Sequence, residues 1–263
     1  MIDYLSWLSV IIIIIVIILV SVMCHFINRS LNQNRELFIQ TIKIKPIPYT
    51  FYWINLDSAT QRYTNMTTLF KHHHIKHHRI DAIRGGPDQY DKELACTKSH
   101  MKAIQTFYDS NEKIGIICED DLTMEYQQYW RENLIDVVKN APEDWEILQL
   151  ALIVCYCVVD DIMCTTCQFA NIKHFTSRYI PYQSWFSSAL CYVVNRKAAK
   201  KILSNNYNPT NNSENFLFGQ TNTYTYKYPM FTYPTDNDSS LHPKHLYGHV
   251  LSKNNITDYL QHV

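Results

Sequence analysis

From residue 5 to residue 23 no charged side chain interrupts the chain, and residues 10–20 are Ile, Leu and Val throughout. The run approaches the roughly 20 apolar residues that a helix needs to cross a hydrocarbon core. It predicts a single transmembrane anchor over residues 1–27. A cleaved signal peptide fits less well, because Asp3 is the charge ahead of the run and no small-residue cleavage pattern follows it. Residues 28–48 turn polar and then alternate Ile, Lys and Pro (TIKIKPIP), which reads as a stalk. Residues 49–263 remain for a folded domain.

In that domain, apolar runs alternate with stretches of helical spacing. YTFYWINLD (49–57), rich in aromatic and β-branched residues, predicts a strand. Ser58 and Gln61 predict a capping box opening a helix, with Met66, Leu69 and Phe70 as its apolar face. RIDAI (79–83) predicts a second strand, stopped by Gly85-Gly86-Pro87. A helix is expected over 93–108 with Ile104, Phe107 and Tyr108 inward, then a strand over 114–118. Further strands are expected at 145–154, 189–194 and 227–234, with Asn195 capping a short helix over 196–203. Alternating strands and helices, with strands apolar on both faces, predict an α/β domain whose sheet is covered on both sides.

Composition narrows the function. Basic and acidic residues balance at 24 each, and the five glycines form no phosphate-binding loop, so neither a nucleic-acid footprint nor a P-loop or dinucleotide fingerprint is present. With 19 tyrosines the chain suits a packed domain rather than disorder.

Three carboxylates, Glu119, Asp120 and Asp121, stand where the strand over 114–118 ends, and ligands of such sheets bind outside the carboxyl ends of strands. Strand alternation would send Glu119 and Asp121 to one face and Asp120 to the other. Two carboxylates on one face suit a hard divalent cation, Mn²⁺ or Mg²⁺, which keeps positions open for phosphate oxygens. The competing reading is a cluster of acids starting a helix near residues 126–130.

INLDSATQRYTNM (54–66), RIDAI (79–83), ELACTKSHMKAI (93–104) and GIICEDDL (115–122) resemble, in order and spacing, the family 25 glycosyltransferases of lipooligosaccharide and procollagen galactosylation. PEDWEILQL (142–150) and ALCYVVNRKAAKKIL (189–203) extend the similarity over about residues 50–240. The resemblance implies a GT-A-like nucleotide-sugar fold and an inverting transfer, typically of galactose from UDP-galactose, to a glycan or protein-linked acceptor. By position, it places Asn55, Leu56, Asp57, Arg62, Ser99, His100 and Asp120 beside the donor nucleotide. Glu119 and Asp121 fall on the metal. Two departures stand out: Cys191 precedes Tyr192 where a glycine is common, and Glu214 stands where an Asp often opens the next acidic motif. An inverting transfer needs a base for the acceptor hydroxyl, and Glu214, Asp236 and Asp238 are the candidates; each is equally a loop or capping acid. A degenerate, anchored sugar- or nucleotide-binding protein is the alternative.

KHHHIKHHR (71–79) has metal-ligand spacing if helical but reads as a solvated turn. Cys155, Cys157, Cys164 and Cys167 fit a structural zinc, two disulfides or free thiols, according to compartment. Cys24, Cys96, Cys118 and Cys191 lie in apolar contexts and read as buried. Arg29 and Arg35 after the anchor favour a cytosolic domain, whereas sequons at Asn65, Asn211, Asn237 and Asn255 favour a luminal one.

Overall fold

The computed structural model describes residues 13–27, 45–154, 157–159, 162–164, 172, 174–184, 186–204, 209, 212–235 and 246–263. The chain divides into two units, Met1–Ile44 and Lys45–Val263. In the first, residues 13–27 form helix α1 with every side chain exposed, including Cys24, which the sequence had suggested was buried. Among the described residues no helix is long and apolar enough to cross a membrane; residues 5–12 of the expected span lie outside them.

The second unit opens with strand β1 (Thr50–Asn55), helix α2 (Thr60–His72), β2 (His77–Asp81), α3 (Gln89–Asp109) and β3 (Ile114–Glu119). It continues with a 3₁₀ turn (Glu125–Tyr129), α4 (Leu134–Lys139), β4 (Ile147–Gln149), β5 (Ile153–Val154), β6 (Cys157–Val159), β7 (Ile162–Cys164), β8 (Tyr179–Pro181), β9 (Phe186–Ser187) and β10 (Cys191–Asn195). Helices α5 (Arg196–Ser204) and α6 (Ser213–Phe218), β11 (Thr223–Tyr226) and α7 (Leu246–His262) complete it.

Seven strands make a mixed sheet in the order β2-β1-β3-β10-β4-β11-β8. Strands β1, β2 and β3 are parallel, so their carboxyl ends share one edge; β10 runs antiparallel between β3 and β4. Both faces are covered, as the unbroken apolar strands require. Phe51 and Trp53 of β1 face one way, into a core with Met66, Phe70 and Phe231. Tyr52 and Ile54 face the other, into a core with Ile104, Phe107, Ile117 and Ile202. Gly115 is what lets α3 lie so close, since a Cβ there would come 2.5 Å from the Phe107 ring.

Several expectations are corrected. No capping box opens α2: its N-cap is Ala59, without a side-chain cap, and Ser58 Oγ instead accepts from Arg84. The expected strand over 145–154 divides after Gln149. There the backbone leaves β11: Leu150 still donates to Cys191 of β10 but accepts from Met230. Buried Gln149 closes the break, its amide donating to the carbonyls of Phe186, Ser187 and Ser188 and its Oε1 accepting from Thr225. Residues 227–234 are no strand of the sheet; Pro229 and Pro234 cannot donate to a ladder, and the paired strand is β11 just before them. Asn195 does cap α5, its Oδ1 accepting from the Ala198 N–H at 2.9 Å. The histidine run is a junction, as read: α2 ends at His72 and β2 begins at His77.

Candidate active site

At the shared carboxyl edge of β1, β2 and β3 lies a cavity of about 310 Å³. Glu119 and Asp120 form its acidic wall, Leu56 and Arg62 its β1–α2 side, Cys96, Ser99 and His100 its α3 side, and Arg84 and Lys92 its basic side.

The acids do not follow strand alternation. Strand β3 stops at Glu119, and Asp120 and Asp121 sit in the turn that follows, so Glu119 and Asp120 border the same cavity. Asp120 is clamped: Arg62 Nη1 donates to Oδ1 at 2.7 Å and Asn55 Nδ2 to Oδ2 at 2.6 Å. Burial raises the Asp120 pKa, with Arg62 and Asn55 working against the rise. Desolvation opposes the Arg62 charge too, but Asp120 and Asp121 outweigh it and its pKa is raised.

Asp121 is less well served. Its Oδ2 lies 3.9 Å from Arg62 Nη1, and its enclosed Oδ1 meets no hydrogen-bond partner, although 28% of the side chain is accessible. Enclosure and the neighbouring charges of Glu119 and Asp120 push its pKa up to about 7. Arg62 thus answers two carboxylates of the turn, Asp120 closely and Asp121 at longer range. An orphaned, enclosed carboxylate oxygen in an acid-rich turn is what a hard divalent cation satisfies. The donor chemistry of the turn suits the Mn²⁺ or Mg²⁺ that the sequence suggests, but Asp121, unlike Glu119 and Asp120, does not line the cavity.

His100 is fully buried. Its Nδ1 lies 3.2 Å from Tyr192 Oη and its Nε2 3.3 Å from Glu119 Oε1. Ser99 Oγ donates to the Ala95 carbonyl and accepts from the Ile83 N–H at 2.8 Å, pinning the loop after β2 onto α3. Its hydroxyl is thereby committed to shaping the cavity wall.

Arg62, Leu56, Ser99, His100, Glu119 and Asp120 therefore converge on one cavity, as their sequence positions suggested. Asn55 acts from behind, holding Asp120 and accepting from Arg79. Asp57 is not brought in: its side chain is 81% exposed and pairs with Arg79. Glu214 heads α6, where Oε1 accepts from the Ser188 N–H and Oε2 from the Ser213 hydroxyl, both at 3.2 Å. It braces Ser188, whose φ of 114° is strained for any residue but glycine. Asp236 and Asp238 lie outside the described residues, as do the side chains of Cys155, Cys157, Cys164 and Cys167.

Arg84 and Lys92 were not foreseen. Among the described residues neither makes an ion pair, and Arg84 donates only to Ser58 Oγ, so both charges remain available to the cavity. Strand β2 stops earlier than expected, at Asp81, and the one signal in the sequence is Arg84 beside Gly85-Gly86-Pro87. Packing there is tight, because a Cβ on Gly85 would meet the Lys92 backbone at 2.6 Å.

The model of a family described as "Glycosyltransferase family 25 (LPS biosynthesis protein)" matches residues 90–217. No curated protein matches the chain. A solved structure described as the crystal structure of a glycosyltransferase involved in the glycosylation of the major capsid of PBCV-1 is similar over 81% of this chain and 98% of its own. The identity is 8% and the TM-score 0.40.

Proposed function

We infer that this glycosyltransferase, which carries a family 25 domain over residues 90–217, moves a hexosyl unit from a nucleotide sugar to a glycan or protein-linked hydroxyl in a metal-dependent, inverting reaction. The observation that carries this reading is the cavity itself, with the carboxylates of Glu119 and Asp120 on one side and, on the other, Arg84 and Lys92, which make no ion pair among the described residues. Its GT-A-like character and UDP-galactose as donor follow the family resemblance.

When bound, a divalent ion held by Glu119 and Asp121 would neutralise the diphosphate leaving group as its bond to carbon breaks. The chain's own groups do the rest. Arg84 and Lys92 attract and orient the diphosphate oxygens. Arg62, committed to Asp120 and Asp121, keeps the acids in register rather than gripping phosphate. Ser99 holds the wall that the nucleotide packs against. For the base we favour Asp236 or Asp238 over Glu214. Both Glu214 oxygens already accept hydrogen bonds. We also place a membrane anchor at residues 1–27, on the strength of its uncharged apolar run.

The test is nucleoside-diphosphate release from a panel of sugar nucleotides with Mn²⁺ or with EDTA. One donor should be turned over, EDTA should abolish release, and Asp121→Asn should cost at least about a hundredfold in kcat, an expectation in line with loss of a preorganised electrostatic group. Release from no donor, with or without acceptor glycans, would overturn the reading.

A further inference from the structure

Cys96 and His100 stand one helical turn apart on the same face of α3, and Glu119 faces them from the end of β3. The ligand atoms of the three, Cys96 Sγ, a His100 ring nitrogen and a Glu119 oxygen, lie within 4.8 Å of one another. They are the one such trio of Cys, His, Asp or Glu among the described residues. The His100 Nε2 to Glu119 Oε1 separation is 3.3 Å. Two N or O ligands about 2.0–2.1 Å from a tetrahedral zinc ion stand about 3.3 Å apart, so this pair needs no rearrangement. All three side chains line the cavity.

We propose that Cys96, His100 and Glu119 form a binding site for a thiophilic divalent ion of the Zn²⁺ class, with its remaining position open to the cavity for water or a phosphate or hydroxyl oxygen. A thiolate and an imidazole select zinc over the hard ions that the acidic turn suits. Three protein ligands with an open fourth position is the arrangement of a reactive zinc rather than a structural one. The surroundings are built for it. Tyr192 Oη, fully buried, sits 3.2 Å from His100 Nδ1. With Nδ1–H donating to that oxygen, the Nε2 lone pair faces Glu119 and the ion, and such an outer partner typically orients a metal-bound histidine. Binding of the ion displaces the thiol proton. The proposal does not rest on the transferase reading, because its readout needs no donor sugar; with this ion bound, Glu119 is withdrawn from the hard-ion site proposed with Asp121.

Co²⁺, a spectroscopic substitute for zinc, is titrated into the full-length chain purified in detergent and freed of metal. A thiolate-to-cobalt charge-transfer band in the near ultraviolet is expected, with tetrahedral visible absorption, both bleached by Zn²⁺. A variant with Cys155, Cys157, Cys164 and Cys167 all changed to Ser should keep the band and saturate at one ion per chain. Cys96→Ser should abolish it. Tyr192→Phe keeps every ligand and should weaken Co²⁺ binding about tenfold, the loss typical of an outer-shell partner. No band in the unaltered chain, or a band that survives Cys96→Ser, overturns the site. If the Cys96→Ser chain fails to fold, Tyr192→Phe decides: affinity equal to that of the unaltered chain overturns it.

Discussion

Arg62 and Asp120 meet at 2.7 Å with 25% and 9% of their side chains exposed, so each is the other's main compensation for leaving water. Removing one partner of such a pair strands the other charge, at a cost of about 3–5 kcal/mol when fully buried, and here nearer the lower end because Arg62 keeps some solvent. Arg62→Met should therefore lower the urea midpoint substantially, and Arg62→Met with Asp120→Asn should recover most of the loss. Equal losses in single and double variants would show that the pair is not coupled. Asp121 makes an opposite prediction. Its folded-state pKa of about 7 lies above the unfolded value near 4, so between those limits the folded chain binds more protons than the unfolded one. Stability from this group therefore falls as pH rises from about 4 to about 7 and is level above. In EDTA, the melting temperature of Asp121→Asn should gain on that of the unaltered chain between pH 5 and pH 8. A gap that stays constant over that range would discard the raised pKa. Of these relations the sequence displayed the acids but not their division of labour. Arg62 could be marked as a candidate for phosphate, yet nothing local revealed that Asp120, 58 positions away, would claim it.

Helix α3 ties the two halves of the site together, because one face of it carries Cys96, Ser99 and His100 while Ile104 and Phe107 press onto the sheet. Its closeness depends on Gly115. Gly115→Ala would overpack that contact and should cost about 1–3 kcal/mol in chemical denaturation; no change would mean that Phe107 can turn aside freely. On the neighbouring central strand β10, Asn195→Ala should cost about 1 kcal/mol by removing the α5 cap, and an unchanged midpoint would mean that the cap is redundant. Elements with strong local signals were legible: the apolar strands, the Met66 and Phe70 face of α2, and the Asn195 cap. The mixed polar and aromatic TYTY of β11 and the break after Gln149 were not. There the decision belongs to partners such as Thr225, Cys191 and Met230, which only the assembled sheet supplies.

At the scale of the molecule, Lys45–Val263 forms a unit with its own two-faced core. A fragment of residues 45–263 should melt cooperatively and keep donor turnover, while only the full chain should float with lipid vesicles on a density gradient. A floating fragment would move the membrane contact away from residues 1–27, and a full chain that stays in solution would remove it.

The sequence by itself determined that the chain is α/β, roughly where its apolar strands run, and that carboxylates gather at the end of one of them. These are local facts, set by side-chain period, β-propensity and adjacency along the chain. Tertiary structure alone decided which charges cancel and which stay available. Arg62 is consumed by Asp120, Asp57 turns away to Arg79, Arg84 and Lys92 remain open, and Cys96, His100 and Glu119 come together. Each of these pairings crosses between elements distant in sequence, and the energy of a charge depends on the partners and solvent that folding leaves around it.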